Sequence, residues 1–186
     1  MGKVRHPVGV KLFTGLISGE ANLFKEAEKR LSQKFGLVDF KSPILSFQHT
    51  HYYESEMGPN LKRKFISFQG LIDPTEIGEI KLFTNQLEQD FLHPETDDRR
   101  INLDPGYLTL SKLVLASTKD YQHRIYLGRG IYTEVTLRYK KGKGFEPWEW
   151  TYPDYGTREY LEIFNHLRKI YQNQLNLKRI DTNANN

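Results

Sequence analysis

Side chains that bind anions and carry protons are concentrated in one segment of the sequence, HRIYLGRGIYTEVTLRY at residues 123–139. Its arginines offer planar guanidinium groups that suit phosphate or carboxylate. Glu134 and His123 are of the residue types that act as general base or general acid near neutral pH. The segment therefore predicts an anion-binding face with acid–base groups, and Glu134 and His123 are its candidate catalytic residues.

The apolar residues of this segment predict a β-hairpin and its register. They all have odd numbers: Ile125, Leu127, Ile131, Val135 and Leu137. A three-residue loop, Gly128-Arg129-Gly130, places them on one face by pairing Leu127 with Ile131. In this register Arg124 lies opposite Glu134, and Tyr126 lies opposite Tyr132, on the face away from the core. Pairs that only stabilise a sheet are the alternative interpretation.

Basic residues dominate a longer stretch around the hairpin. Residues 99–144 contain ten basic and three acidic residues, whereas the whole chain has a net charge of +4. Such a stretch attracts phosphate, nucleotides or nucleic acid, unless its cations form a solvated face beside acids from elsewhere in the chain. The candidate ligand-binding residues are Lys112, Lys119, Arg124, Arg138, Tyr126, Tyr132 and Asp104.

Two other segments could also contact a ligand. Asp104 lies in NLDPGY at the end of a short predicted strand, where ligand contacts often gather, although an Asx turn closing on Gly106 explains the same residues. The loop Trp148–Tyr155 has four aromatic residues in eight positions, which could stack a base or hold a partner. We favour the interpretation that these rings pin the loop to the core.

His49 and His51 are the candidate metal ligands. Alternate residues of a strand share a face, so the two imidazoles could bind Zn²⁺ or another divalent metal, with Glu54, Glu56 or His123 completing the site. Two histidines supply half a site, and no third ligand has a diagnostic spacing. Two partly exposed strand histidines are therefore the favoured interpretation, and the sequence identifies no cofactor.

The order of predicted elements favours an α+β fold. We expect strands at 8–16, 40–53, 64–68 and 101–103, helices at 21–35, 73–91 and 110–117, then the hairpin and a last helix capped by Thr157. Asp73-Pro74-Thr75-Glu76 is the clearest helix start, and Asp104-Pro105-Gly106 is typical of a turn. The prediction is a mainly antiparallel sheet with helices packed on one face. A ferredoxin-like βαββαβ core with an added hairpin and C-terminal helix is the first topology that this order suggests.

Length and composition exclude several classes of protein. The 186 residues fit one globular domain, which we place at 1–178, followed by a polar tail at 179–186 that we expect to be disordered. No apolar run is long enough to cross a membrane, and the first residues lack a signal-peptide pattern. The absence of cysteine excludes disulfides, thiolate zinc sites and cysteine nucleophiles, and it favours a cytoplasmic location.

Long blocks of the chain follow a recognisable pattern. These blocks are KLFTGL, YYESEMG, KRKFISF, LIDPTEIGEIKLFTNQLE, NLDPGYLTLSKLVLASTK, HRIYLGRGIYTEVTLRY and PWEWTYPDY. In them the chain resembles the bacterial and archaeal family known as domain of unknown function 4416. The resemblance implies a compact single-domain protein and assigns no reaction. Members are sometimes labelled GTP-binding, but this chain has neither a GxxxxGK(S/T) segment nor an NKxD segment.

The sequence therefore predicts a protein that binds a small anionic ligand, phosphate-bearing or nucleotide-like, on a basic face, with acid–base chemistry as an extension. One alternative is an RNA- or DNA-binding module in which Lys140, Lys141 and Lys143 follow phosphates and exposed tyrosines stack bases. Another is a partner-binding protein that uses the Trp148–Tyr155 loop. The identity of the ligand, catalysis and oligomeric state are left open.

Overall fold

In the computed structural model, which describes residues 2–48, 50 and 52–184, one antiparallel sheet carries helices on both of its faces. The strands are β1 (Val10–Ser18), β2 (Val38–Lys41), β3 (Leu45–Ser46), β4 (Lys62–Ile72), β5 (Asn102–Leu108), β6 (Lys112–Ser117), β7 (Ile125–Gly128), β8 (Ile131–Lys140) and β9 (Gly144–Pro147). The helices are α1 (Ala21–Phe35), α2 (Glu54–Met57), α3 (Ile77–Gln89) and α4 (Arg158–Ala184). Short 3-10 turns lie at Pro74–Glu76 and Pro153–Gly156.

The strand order of the sheet is β2-β4-β1-β5-β6-β8-β7, with β3 beside β4 and β9 beside β8. Each of these pairs is antiparallel. Helix α1 connects β1 to β2, and α3 connects β4 to β5. The predicted α+β class with an antiparallel sheet is confirmed, whereas the ferredoxin-like core stays a prediction.

The central strand β1 is buried on both sides, so the sheet needs cover on both faces. Leu12 and Leu16 pack in one apolar cluster with residues of α1 and α3. Phe13 points to the opposite face and meets Phe164 of α4, with ring centroids 5.3 Å apart. The sequence predicted helices on one face, but the structure places α4 on the other because the continuous apolar run of β1 requires a second layer.

Strand β6 replaces the helix predicted at 110–117. Its consecutive residues Leu113 to Ala116 are all buried, so this strand lacks the polar–apolar alternation that identifies strands with one wet face. The predicted turn at Asp104–Gly106 lies within β5. A Cβ atom at Gly106 would come within 2.4 Å of the carbonyl oxygen of Val114, so glycine is required where β5 approaches β6.

The hairpin of β7 and β8 has a shorter loop than the sequence predicted. Gly128 pairs with Ile131, which leaves a two-residue turn in which Arg129 and Gly130 have φ angles of 54° and 78°. These positive angles suit the tight turns of two-residue hairpins. A register shift at Leu127 restores the predicted pairing of Tyr126 with Tyr132.

The predicted apolar face of β7 is exposed to solvent. Ile125 and Leu127 are 69% and 45% exposed because β7 lies at the edge of the sheet, whereas Ile131 of the neighbouring strand β8 is buried. The prediction that all odd-numbered apolar residues face one core is therefore wrong for β7.

The remaining boundaries follow local signals. The capping box is confirmed: Asp73 accepts a hydrogen bond from the Thr75 backbone, and Glu76 accepts one from the Asp73 backbone. The strand predicted at 40–53 is instead the two short strands β2 and β3, separated around Pro43. Helix α4 continues to Ala184, past the start of the predicted tail. Within the described residues, no helix is long and apolar enough to cross a membrane.

Candidate functional site

The sheet splits between β5 and β6, and the split contains a cavity. Pairing joins Gly106–Leu108 to Leu113–Leu115, whereas Asn102–Pro105 pair with β1 and the end of β6 pairs with β8. Pro105 has no N–H with which to continue a ladder. The gap is part of a cavity of about 710 Å³, which Asn102 and Asp104 line on one side and Leu115 to Ser117 line on the other.

Polar side chains of α3 and aromatic side chains of three connecting segments complete the wall of this cavity. The α3 residues are Lys81, Asn85, Glu88 and Gln89, whose spacing places them on one face of the helix. The aromatic residues are Phe47, Tyr52, Tyr53, Tyr121, Tyr152 and Tyr155. The cavity is therefore both polar and rich in rings, whereas the two clusters that flank the sheet are apolar.

Arg63 of β4 is a deeply buried cation of the wall. Its side chain is 3% exposed, and its guanidinium donates to Asp104 Oδ2 at 3.1 Å and to Asp154 Oδ2 at 3.2 Å. The rings of Phe47 and Tyr155 lie 5.1 and 5.7 Å from its Cζ atom. Burial alone would lower the pKa of Arg63, but the surrounding acidic groups outweigh it and raise that pKa, so the cation is fixed.

Asp104 is held as a carboxylate by two cations. Lys81 Nζ donates to the carbonyl oxygen of Leu103 at 2.8 Å and lies 4.0 Å from Asp104 Oδ1. Burial would raise the pKa of Asp104, but the charges of Arg63 and Lys81 outweigh this effect and lower it. Asp104 therefore contributes a fixed negative charge to the wall.

Glu88 has the opposite protonation preference in the same cavity. Its Oε1 atom accepts a hydrogen bond from the Leu103 backbone at 2.6 Å, and its Oε2 atom lies 3.9 Å from Arg99 Nη1. Burial raises the pKa of Glu88. Lys81, the Leu103 N–H and Arg99 lower this pKa, but their effect is smaller than that of burial. Two carboxyl groups on one wall thus differ in how firmly they hold a proton.

The predicted contact between Arg124 and Glu134 is present, but it is buried. Arg124 Nε donates to Glu134 Oε2 at 2.7 Å, and the two side chains are 3% and 2% exposed. Arg124 Nη1 also donates to Ser117 Oγ at 2.8 Å and to the Lys119 carbonyl at 2.9 Å. The loop between β6 and β7 therefore folds over the pair, and Arg124 stabilises that loop.

Lys119 differs from the other cations of the cavity wall, because no carboxylate of the described residues is within ion-pair distance of its ammonium group. Its ammonium lies 3.7 Å from the centroid of the Tyr52 ring, and its side chain is half-buried at the wall of the cavity. A cation held over a ring in this way keeps its charge available for an anion.

The structure brings four of the predicted site residues to the cavity: Lys119, Arg124, Glu134 and Asp104. Lys112 and Arg138 face each other in the ladder of β6 and β8, outside the cavity wall, and Arg138 lies 4.2 Å from the Trp148 ring. Tyr126 and Tyr132 form a pair with ring centroids 5.1 Å apart. The predicted face is thus divided between the cavity and the outer surface of the hairpin.

His123 contacts the site without lining the cavity. Its Nε2 atom lies 3.0 Å from Glu134 Oε2, and its ring stacks between Tyr121 and Trp150. His49 and His51 lie outside the described residues, so the metal site stays a prediction. Among the residues described, no group of three or more histidine, aspartate and glutamate side chains is placed to hold a metal ion.

The loop Trp148–Tyr155 packs largely onto the protein. Trp148 and Trp150 stack with centroids 5.1 Å apart, Trp150 Nε1 donates to the Val135 carbonyl at 3.2 Å, and Tyr155 is buried. The loop also supplies Asp154 to Arg63 and thereby closes one side of the cavity.

Several residues of the wall were missed from the sequence, and two periodicities could have identified them. Arg63 has the strand parity of Phe65 and therefore shares its buried face. Lys81 and Glu88 lie seven positions apart on α3, on a stripe next to the buried residues of that helix. A polar residue at a core position was the available signal in both cases.

Fold and site together define an α+β protein with a polar, tyrosine-lined cavity in a split antiparallel sheet. The chain belongs to the family described as a domain of unknown function (DUF4416), whose model matches residues 8–171. This range includes every strand, the helices α1 to α3 and the first half of α4, so the resemblance found in the sequence is confirmed. Comparison with curated proteins and with solved structures finds no match.

Proposed function

We propose that this protein binds a small anionic ligand with a planar ring, of the nucleotide type, in the cavity between β5 and β6. One observation carries the proposal: charged side chains that are only 3% to 5% exposed line a cavity of about 710 Å³. They are Arg63, Lys81, Glu88, Glu134 and Asp154. Burying charge is costly, and an arrangement of this kind in a cavity of this size is typical of a ligand site.

The charge of the wall favours an anion. Five cationic and four carboxyl side chains line the cavity, so the cations outnumber the carboxyl groups. The guanidinium groups of Arg63 and Arg124 are paired with carboxylates. The ammonium group of Lys119 contacts only the Tyr52 ring among the described groups. Lys119 is therefore the side chain from which we expect the main contact with a phosphate group.

The rings and amides of the wall favour a planar heterocycle. Tyr52, Tyr121 and Tyr152 present aromatic surface on which a base could stack. Asn85 and Gln89 make no side-chain hydrogen bond with any residue that the structure describes, so their amides are available to a ligand. An amide offers a donor and an acceptor together, which suits the edge of a base.

The proposal is tested by thermal unfolding with AMP, UMP, adenosine and inorganic phosphate. We expect the two nucleotides to raise the unfolding temperature more than adenosine does. Lys119→Met should remove most of that shift, whereas Lys112→Met, which removes an exposed lysine outside the cavity, should keep it. Equal losses in both variants, or no shift with any of the four probes, would refute the cavity as a nucleotide site.

A nucleic-acid-binding function is the second candidate, and a surface feature favours it. The rings of Tyr121, His123, Trp150 and Trp148 form a continuous stack that ends on Arg138. Lys140, Lys141 and Lys143 lie exposed nearby in the chain. Under this alternative, a single-stranded oligonucleotide binds with steep salt dependence, and replacing the three lysines by serine abolishes binding while Lys119→Met does not.

A further inference from the structure

Glu88 is a carboxyl group of the cavity whose two oxygens are engaged to different extents. Its Oε1 atom is fixed by the Leu103 N–H at 2.6 Å, whereas its Oε2 atom accepts no hydrogen bond from the described residues. The nearest ion-pair partner of Oε2 is Arg99 Nη1 at 3.9 Å, beyond hydrogen-bond distance. The side chain is 5% exposed and lines the cavity, so Oε2 is held in place next to the space for a ligand.

Glu134, the catalytic candidate from the sequence, is engaged much more fully. Its Oε2 atom contacts Arg124 Nε at 2.7 Å and His123 Nε2 at 3.0 Å, and its Oε1 atom accepts from Thr136 Oγ1 at 3.2 Å. A carboxylate with three partners has few lone pairs left with which to contact a ligand. The geometry therefore directs acid–base chemistry from Glu134 to Glu88.

We propose that Glu88 is the proton-exchanging group of the cavity and that its protonated Oε2 donates a hydrogen bond to an anionic oxygen of the bound ligand. This inference rests on the proposed function and names the side chain through which the cavity responds to pH. The ligand class is one whose phosphate or carboxylate group lies against the α3 wall. The anionic group of the ligand would then be contacted by a neutral hydrogen-bond donor, protonated Glu88, and by a cation, Lys119.

The charged and titratable groups around Glu88 support this division of roles. Lys81 lies on the same helix, Asp104 on β5 and Arg99 in the segment before β5, with Tyr53 beyond Arg99. Arg99 Nε also lies 2.5 Å from Glu56 Oε2, so the Arg99 guanidinium interacts with the carboxyl groups of both Glu56 and Glu88. Burial raises the pKa of Glu88.

Asp104 has the opposite tendency, because Arg63 and Lys81 lower its pKa despite its burial. Paired carboxyl groups whose environments separate their pKa values in this way are typical of an acid–base assignment.

Ligand affinity should depend on pH if Glu88 has this role. An anionic oxygen near Oε2 favours the protonated form of Glu88, so binding takes up a proton whenever Glu88 is ionised in the free protein. Affinity should then fall by up to about tenfold per pH unit above the pKa of Glu88 in the free protein. Glu88→Gln keeps a donor at this position and should bind with an affinity that no longer falls with pH in this range.

The test is a pH titration of the glutamate side-chain carboxyl carbons by NMR, with and without AMP as the probe. Glu79 is the matched control, because it is an exposed glutamate on the same helix, paired on the surface with Arg129. We expect Glu88 to titrate at higher pH than Glu79 in the free protein. We expect AMP to move the midpoint of Glu88 upward and to leave that of Glu79 unchanged.

The outcomes of this experiment distinguish the two proposals. If Glu88 titrates with Glu79 in the free protein, or if AMP binds without moving the midpoint of Glu88, the proton-exchanging role is wrong. If Glu88 titrates above Glu79 but no probe binds, the proposed nucleotide function is refuted, and so is the donation from Glu88 to such a ligand. Loss of the pH dependence of AMP affinity in Glu88→Gln, but not in Glu79→Gln, supports both.

Discussion

Gly15 of β1 leaves the space that the guanidinium of Arg63 occupies. A Cβ atom at position 15 would lie 2.7 Å from Arg63 Nη1 and 3.1 Å from the ring of Phe65. Arg63 cannot simply move aside, because Asp104 and Asp154 hold its two terminal nitrogens. The absence of a side chain on a central strand is thus part of the structure of the cavity wall.

Gly15→Ala should therefore destabilise the protein by about 1 to 3 kcal/mol, the usual cost of an inserted methyl group in a packed interior. The measurement is the free energy of unfolding in urea. Gly78→Ala is the matched control, because nothing lies within 4 Å of its added Cβ and alanine is the better helix former. In an Arg63→Met background the cost of Gly15→Ala should shrink, and an undiminished cost would contradict the proposed contact.

Arg63→Met should destabilise the protein by about 3 to 5 kcal/mol, because it leaves two carboxylates without their buried cation. Chemical unfolding of the variant measures this loss. Adding Asp154→Asn to Arg63→Met should recover part of it, since one uncompensated charge is removed. Arg158→Met removes an arginine that is 92% exposed and paired with Glu162 of the same helix, so it should leave stability unchanged. Equal effects of the two arginine substitutions would contradict the account.

The pair of Arg124 and Glu134 should show strong coupling of the same kind. Arg124→Met alone leaves the buried carboxylate of Glu134 without its cation. We expect the free energy of unfolding to fall by about 3 to 5 kcal/mol. The double variant Arg124→Met/Glu134→Leu should be more stable than Arg124→Met alone. A double-mutant cycle from urea unfolding measures the coupling, and additive losses would show that the contact contributes little.

The effect of Asp104→Asn on stability should depend on pH. Because the pKa of Asp104 is lowered in the folded state, its ionised form contributes stability above the ordinary aspartate pKa of about 3.9. That contribution disappears as the pH falls through the lowered pKa. The variant should therefore lose more stability at pH 7 than near pH 3, as measured by urea unfolding, and a loss independent of pH would contradict the ionised state.

Glu88→Gln should show the opposite trend. The pKa of Glu88 is raised in the folded state, so its contribution to stability is present below the ordinary glutamate pKa of about 4.3 and lost as the pH rises through the raised value. The amide cannot ionise and can still accept from the Leu103 N–H. The stability of Glu88→Gln relative to wild type should consequently rise between pH 4 and pH 7. A constant difference across this range would be the contrary result.

Local chemistry was sufficient to predict several elements of the fold. The capping box at Asp73 and the four-residue spacing of Leu23, Ala27 and Leu31 depend on neighbours within one or two turns, and the corresponding helices are present. The facing positions of Tyr126 and Tyr132 were also predictable, because both strands and their turn are adjacent in the chain.

Tertiary context decided the elements that were predicted wrongly. The residues Leu113 to Ala116 fit a helix or a strand equally well from their apolar pattern, and only burial on both faces of a sheet selects the strand. Ile125 has an apolar side chain but lies on an edge strand, which no local pattern reveals. Edge position is a property of the completed sheet.

The centre of the cavity depends on contacts that are distant in sequence. Arg63 meets Asp104 and Asp154, which lie 41 and 91 residues away. Basic composition identified Lys119 and Arg124, but KRKFISF has three basic residues in succession, and composition does not distinguish the buried middle one from its neighbours. Strand parity with Phe65 was the one local signal for Arg63, and its carboxylate partners required the fold.

The most direct test of the central claim, a ligand site in the split between β5 and β6, is an NMR titration of the backbone amides with AMP. We predict saturable changes at Leu103, whose N–H binds Glu88, and at Lys119, with small changes at Lys140 to Lys143 at the turn between β8 and β9. Changes confined to Lys140–Lys143, or a titration that moves no amide of the cavity wall, would contradict the claim.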